Sequence, residues 1–294
     1  MERSNDIISA VMSIASRATD AIPAENNDYT VDGILHCGKC HSPKEIIVPL
    51  LDLTYKMRCL CKCRALEEQR KKEKEKAEEL KARADALRKL FPSSSLATFT
   101  IANDDNHNPE ISTIVQNYCN HFSEMRKQGC GLIFYGPVGT GKTFYAAALA
   151  NKVLDLGYSA YFTSLTRLEN MIFSATDKQG LIDNICSYDL LVIDDLGAER
   201  RTEWSEEQVF NVIDTRYNAK LPLVLTTNLT LKELCNRNDT RARAYSRLLE
   251  MCFAYEVSGQ DHRVEKIAEA MEHRESMYEL NQRIGAALTY PLRL

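Results

Sequence analysis

Two rhythms of apolar residues alternate along most of the chain. Strand-sized apolar runs fall at Gly131 to Tyr135 (GLIFY), Ser159 to Thr163, Leu190 to Ile193, Leu223 to Thr226 and Cys252 to Val257. Between them lie longer segments with helical patterning, beginning near Lys142, Leu165, Ser205 and Lys232. Strands alternating with helices predict an α/β fold, a five-stranded parallel sheet flanked by helices. Ahead of this region the rhythm changes. From Arg64 to Leu90 there is no Gly or Pro, and ten basic and seven acidic side chains surround a narrow seam of Ala77, Leu80, Ala84 and Leu87. This predicts one long charged helix, ended by Phe91-Pro92 and the three serines that follow. The first twenty residues predict a short amphipathic helix, and a polar helix is expected from about Val264 to Ile284. Three parts follow: an N-terminal module over residues 1–63, a charged helical linker over 64–92 and a main domain over 93–294.

Composition narrows the possibilities. The chain is 44% hydrophobic and 27% charged, as soluble globular proteins are. Its longest tight apolar cluster, Leu190 to Ile193, falls far short of the roughly 18 residues that cross a bilayer, so no membrane partner is expected. The N-terminus lacks a basic segment followed by a clean apolar one, which makes a cytoplasmic location the expectation. A net charge of −4 offers no general attraction for nucleic acid, so DNA contact has to use a local patch.

Directly after GLIFY stands GPVGTGKT, Gly136 to Thr143, and a helical run follows it. This is G-x-x-x-x-G-K-[ST] in its strand, loop, helix context. Gly136, Gly139 and Gly141 let the backbone turn so that successive amides face phosphate oxygens, and the helix from Lys142 adds its positive end. Lys142 is expected to reach the β and γ phosphates of ATP, and Thr143 to supply a hydroxyl to Mg²⁺. Pro137, Val138, Thr140 and Phe144 complete the nucleotide-binding stretch. About fifty residues on, LLVIDDLG places Asp194 and Asp195 at the carboxyl end of a strand, the edge where open parallel sheets bind ligands. Asp194 is the candidate Mg²⁺ partner, and Asp195 the group that orients or deprotonates the attacking water. Asn228, ending LPLVLTTN, is placed to hydrogen-bond the same water or the γ phosphate if its strand threads between the other two. Arg243 and Arg247 lie four apart, on one face of an expected helix.

Five of the ten cysteines crowd into residues 37–63. In a reducing compartment, CGKC followed by CLCKC reads as one tetrahedral zinc site, with Cys37, Cys40, Cys61 and Cys63 as ligands. Cys59 is the substitute ligand, and His36 and His41 are lesser candidates. So short a segment buries too little apolar surface to fold without metal, and the zinc is expected to be structural.

The series GPVGTGKT, YDLLVIDDLGAE, EWSEEQVFNVIDTRYNAKLPLVLTTN, RAYSRLLE and VSGQDHR resembles the DnaC, DnaI and IstB group of AAA+ ATPases, over roughly Phe99 to Arg263. The resemblance implies an AAA+ core in which Asn228 is sensor 1, Arg247 the arginine finger and Arg263 the sensor 2 arginine, with Arg243 the other candidate finger. Asp195 stands where many AAA+ proteins carry Glu, which implies slow, regulatory hydrolysis. Cysteine-rich modules ahead of this core resemble those of helicase loaders. The implied function is an ATP-dependent loader that binds a DnaB-type helicase and single-stranded DNA and self-associates with ATP. An IstB-like ATPase assisting a transposase, and a zinc-containing adaptor that binds ATP with little turnover, are the rival readings.

Overall fold

Alternate residues of a β-strand point to opposite sides, so a wholly apolar strand needs cover on both faces. The computed structural model meets that need. It describes residues 27–50, 53–105, 107–197, 202–236, 241–259 and 261. The chain divides into two compact units, residues 1–79 and 80–294. The amphipathic helix expected at the start of the chain and the polar helix expected from Val264 lie outside the described residues.

The second unit is built on five parallel strands: β5 (Gly131–Tyr135), β6 (Ala160–Ser164), β7 (Leu190–Leu196), β8 (Leu223–Thr227) and β9 (Cys252–Glu256). Their order is β6-β7-β8-β5-β9, so the strand that runs into the phosphate loop and the one that carries the two aspartates flank β8. Leu132, Phe134, Phe162, Val192 and Val224 face one buried layer, and Ile133, Tyr161, Leu191, Ile193 and Leu225 face the other. Each fully buried aliphatic side chain contributes about 1.5–3 kcal/mol, so both layers are needed.

One layer is covered by α2 (Pro109–Asn120) and α4 (Lys142–Asp155), with α3 (Phe122–Gln128) between them in sequence. Four alanines of α4, at 146, 147, 148 and 150, are almost fully buried and let this helix sit close to the sheet. Asn151 of α4 donates to the carbonyls of Leu96 (2.7 Å) and Phe99 (2.8 Å), tying down the segment that enters the unit. The other layer is covered by α5 (Leu165–Ser174), α6 (Lys178–Cys186), α7 (Glu203–Ala219) and α9 (Ala242–Met251); the short α8 (Leu231–Leu234) carries a capping box at Thr230 and Glu233.

The long charged helix is present as α1 (Lys62–Arg88), and the division between the units, at Glu79 and Leu80, falls inside it. Only its last turns contribute to the core: Ala84 is buried and Leu87 packs beside it.

The first unit has two antiparallel hairpins, β1 (Tyr29–Val31) with β2 (Ile34–His36) and β3 (Glu45–Leu50) with β4 (Leu53–Arg58). The first turns at Asp32 and Gly33, both with positive φ, the geometry an Asp-Gly pair accepts at low cost. The side chains of Lys44 and Asp28 form a buried ion pair, and Asp28 also accepts from the Gly38 amide (3.1 Å).

A residue with no strong signal in the sequence organises the second unit. Arg216 of α7 is fully buried and donates to the carbonyls of Cys186 (2.7 Å), Tyr188 (2.6 Å) and Pro222, joining the end of α6 to the entrances of β7 and β8. Burial holds its guanidinium pKa down to about 10, still charged at neutral pH. Replacing it as Arg216→Met leaves those carbonyls unpaired, and an unmade buried hydrogen bond costs about 1–3 kcal/mol. The expected loss is about 3 kcal/mol, read as a fall in melting temperature of roughly 6–12 °C. An unchanged melting temperature contradicts this account.

Candidate nucleotide site and cysteine cluster

The C-terminal edge of the sheet gathers the phosphate loop, the acidic strand and the end of β8. The loop owes its shape to glycine. Gly136, Gly139 and Gly141 have φ of 140°, 81° and 92°, a region that side chains rarely enter. Space adds to this at Gly136, where a Cβ would lie 2.5 Å from the backbone carbonyl oxygen of Val257; at Gly139 a Cβ would have to push the Asp261 carboxylate aside. Gly141 precedes α4 without a side-chain cap, so no side chain competes for the first amides of that helix. The loop has the form of an anion cradle and fits the phosphates of a nucleotide.

Lys142 is 6% exposed and donates to the carbonyls of Gly136 (2.9 Å) and Pro137 (2.5 Å), curling over the loop it belongs to. Thr140 donates to the Pro137 carbonyl (3.0 Å). Phe144 stacks at an angle between Phe99 and Tyr145, each ring centre 5.4 Å away. Val138 is half exposed at the loop tip.

The hydroxyl of Thr143 donates to Asp194 Oδ1 across 3.0 Å, joining the first turn of α4 to β7. The same oxygen accepts from Thr226 of β8 at 2.5 Å. Burial, with help from the neighbouring Asp195 charge, raises the Asp194 pKa above the usual carboxylate range, against the pull of Thr226, Thr143 and Lys142. A hydroxyl and a buried carboxylate side by side beneath a phosphate cradle fit a Mg²⁺ ion, which would favour the ionised carboxylate.

The ladder between β7 and β8 shifts register between Ile193 and Leu196, and Asp195 takes a left-handed conformation (φ 59°) with its amide donating to Thr226 (2.9 Å). Bulges of this kind beside ligand edges re-aim side chains. Here Asp194 is left partly buried and Asp195 exposed. Asn228 is exposed just past the end of β8, the strand that threads between the other two. Thr226 is the member of this group that the sequence does not single out, since a threonine in a strand is ordinary.

Arg247 stands elsewhere among the described contacts. It projects from α9 to pair with Asp214 of α7, over the rings of Phe210 (4.7 Å) and Tyr217 (5.7 Å). Arg243, one turn earlier, lines an open depression with Glu206, Glu207, Phe210, Arg241 and Ala244. Arg263 lies outside the described residues.

In the first unit, the sulfurs of Cys37, Cys40, Cys61 and Cys63 all lie within 4.8 Å of one another. Two come from the knuckle after β2 and two from the entrance to α1. Glycine is required at Gly38, where a Cβ would meet the Asn27 carbonyl at 2.0 Å. The hydroxyl of Ser42, followed by the Cys63 amide, pulls the Cys40 thiol down to about 5, whereas the Cys61 thiol and burial push Cys63 up to about 12. Four thiols this close cannot all ionise without a cation, and a divalent ion that favours sulfur resolves that conflict. The remaining candidates are engaged otherwise: Cys59 points to the Pro43 carbonyl (3.6 Å), His36 Nδ1 to the Ile34 carbonyl (2.9 Å) and His41 Nδ1 to the Tyr29 hydroxyl (3.0 Å).

Among the described residues no helix is long and apolar enough to cross a membrane.

Comparison with known proteins agrees with this architecture. A family model described as IstB-like ATP binding protein matches residues 98–270. The replicative helicase loader DnaI of Bacillus subtilis (strain 168) is 26% identical over 164 residues, covering 53% of this chain and 52% of that protein. The replicative helicase loader DnaC of Escherichia coli (strain K12) is 29% identical over 107 residues, 35% of this chain and 44% of the other. The chain therefore spans about half the length of these curated relatives. In fold it is similar to the crystal structure of DnaI, with a TM-score of 0.50 and 22% identity over 58% of this chain and 94% of that one. A family match across more than half of the 294 residues, on a parallel sheet whose carboxyl edge carries the phosphate loop and the acidic strand, is decisive: the chain belongs to the IstB-like ATP binding protein family.

Proposed function

We propose that this protein is an ATP-dependent loader of a DnaB-type replicative helicase, acting in the cytoplasm. Its cysteine module over residues 1–63 grips the helicase hexamer, residues 64–92 connect, and the nucleotide domain over 93–294 contacts single-stranded DNA. The observation that carries this reading is the conjunction, in one chain, of a four-cysteine cluster and a phosphate-loop core similar to proteins named replicative helicase loaders. Cys37, Cys40, Cys61 and Cys63 would hold a structural zinc, which supplies folding free energy to a unit with little core of its own.

In the core, the loop from Gly136 to Phe144 binds the nucleotide. Lys142 leaves its own loop carbonyls for the β and γ phosphates, a strong donor held ready at little entropic cost. Thr143 and Asp194 would hold Mg²⁺, which supplies charge neutralisation on the phosphates. Asp195, turned outward by the register shift, orients the attacking water, and Asn228 at the end of the adjacent strand hydrogen-bonds water or the γ phosphate. The shorter reach of Asp195 beside the usual Glu makes hydrolysis slow, as suits a switch. Arg247 acts on the nucleotide of a second copy, and Arg263 on the nucleotide of its own, so ATP promotes self-association. The IstB description of the matched family favours a second reading, an ATPase that assists a transposase.

Light scattering on a size-exclusion column, with the replicative helicase hexamer of the same host in ATP and Mg²⁺, tests the loader. A stable complex is expected, lost when Cys37 and Cys40 are both changed to Ser, with loss of one bound zinc per chain. No complex in any nucleotide state transfers the assignment to the transposase helper.

Lys142→Ala is expected to weaken ATP binding by about 10-fold or more with an unchanged melting temperature, since it removes a charge-assisted phosphate contact. Titration with a fluorescent ATP analogue reads the change; equal affinity for the two proteins refutes the assigned role of Lys142. Single-stranded DNA is expected to stimulate hydrolysis, and an adaptor without turnover predicts no stimulation and no loss on Asp195→Asn.

A further inference from the structure

Arg247 is gripped by its own chain. On α7, Phe210, Asp214 and Tyr217 stand at positions i, i+4 and i+7, which fall on one face of a helix. Together they make a cradle of two rings and one carboxylate, and α9 lays Arg247 into it: ion-paired through Nη1 to Asp214 Oδ1, with its guanidinium centre 4.7 Å from the Phe210 ring and 5.7 Å from the Tyr217 ring. The Tyr217 ring is itself braced, because its hydroxyl donates to Glu250 (2.7 Å), three residues beyond Arg247 on the same helix. The two paired atoms, Arg247 Nη1 and Asp214 Oδ1, are shut off from water, whereas the side chains as wholes are 32% and 31% exposed. One nitrogen of the guanidinium is thus paired and covered, while about a third of the side chain stays open to solvent.

The paired atoms are covered, but side chains that stay about a third exposed leave the pair partly screened, so its contribution to stability is small. It has the features of presentation. A guanidinium carries five N–H donors in a planar fork, so an anchor at Nη1 leaves donors for a phosphate. A long side chain that is already oriented does not lose its rotamer freedom at the moment of contact. Arg243, on the same helix, has no such cradle among the described residues: it lies beside Glu206 and Glu207 in an open depression.

We propose that Asp214, with the Phe210 and Tyr217 rings, is a positioning device that holds Arg247 in the orientation in which it meets the nucleotide of a second copy of this chain. The inference rests on the reading of Arg247 given above and deepens it: in it Asp214 acts through Arg247 and not on the nucleotide itself.

The test is a double-mutant cycle on the full chain, read by steady-state ATP turnover, sedimentation in ATP and thermal melting. Arg247→Ala is expected to lower kcat by about 10³ and to abolish ATP-dependent association. Asp214→Asn is expected to lower kcat about 10-fold, with KM for ATP changed by less than about two-fold, and with no fall in melting temperature. Asp214→Glu should recover part of that loss, and Asp214→Asn should cost nothing further on the Arg247→Ala background. The proposal is overturned if Arg247→Ala abolishes turnover while Asp214→Asn leaves it untouched, or if Asp214→Asn lowers kcat equally in both backgrounds, the mark of a merely structural role. If the wild-type chain neither associates nor turns over ATP, or if Arg247→Ala changes neither property, the finger reading itself fails and this inference with it. Should Asp214→Asn melt early, Phe210→Leu, which removes the ring and keeps apolar bulk, enters the same cycle with the same expected direction and the same overturning results.

Discussion

A parallel sheet of unbroken apolar strands cannot leave either face in water, and this one requirement governs the second unit. It demands helices on both sides, and in a parallel arrangement each helix must carry the chain back from one sheet edge to the other. The loops that precede those helices therefore collect at the carboxyl edge, where the helix starts offer their free amides. The phosphate loop, the Asp194–Asp195 step and the end of β8 are neighbours because of this, although they are far apart in sequence. Burial of the same edge raises the Asp194 pKa and makes a cation a welcome occupant.

The first unit solves the opposite problem. Its described residues form two small hairpins with few buried apolar side chains, and several of the large ones, Tyr29, Val31, Ile46 and Ile47, are exposed. Its order depends on short-range devices: the positive-φ turn at Asp32 and Gly33, the buried Lys44–Asp28 pair, and the four converging sulfurs. A cation at those sulfurs would supply what hydrophobic burial cannot at this size.

Arginine does three different jobs in the second unit. Arg216 is consumed by carbonyl groups inside the fold, Arg88 ties the last turn of α1 to Asn151 and Asp155, and Arg247 is paired with Asp214 yet about a third exposed. The planar fork of donors suits all three, and only the surroundings distinguish them.

The sequence by itself determined the parts whose signal is local. A short unbroken apolar strand, a glycine loop at fixed spacing and a helix of charged residues each follow from contacts within a few residues, and the strands at 131–135, 190–196 and 223–227 and the helices from Lys142 and Leu165 stand close to where the pattern put them. Of the five clustered thiols, CGKC and CLCKC marked the region, and Cys37, Cys40, Cys61 and Cys63 are the ones that meet. Tertiary structure alone decided the rest. Thr226 reaches Asp194 only because β8 threads beside β7, Asp195 turns outward only through the register shift, and Arg247 finds Asp214 only when α9 packs on α7. These are meetings between segments brought together by burial of the sheet, and no periodicity within one segment records which residue of another it will face.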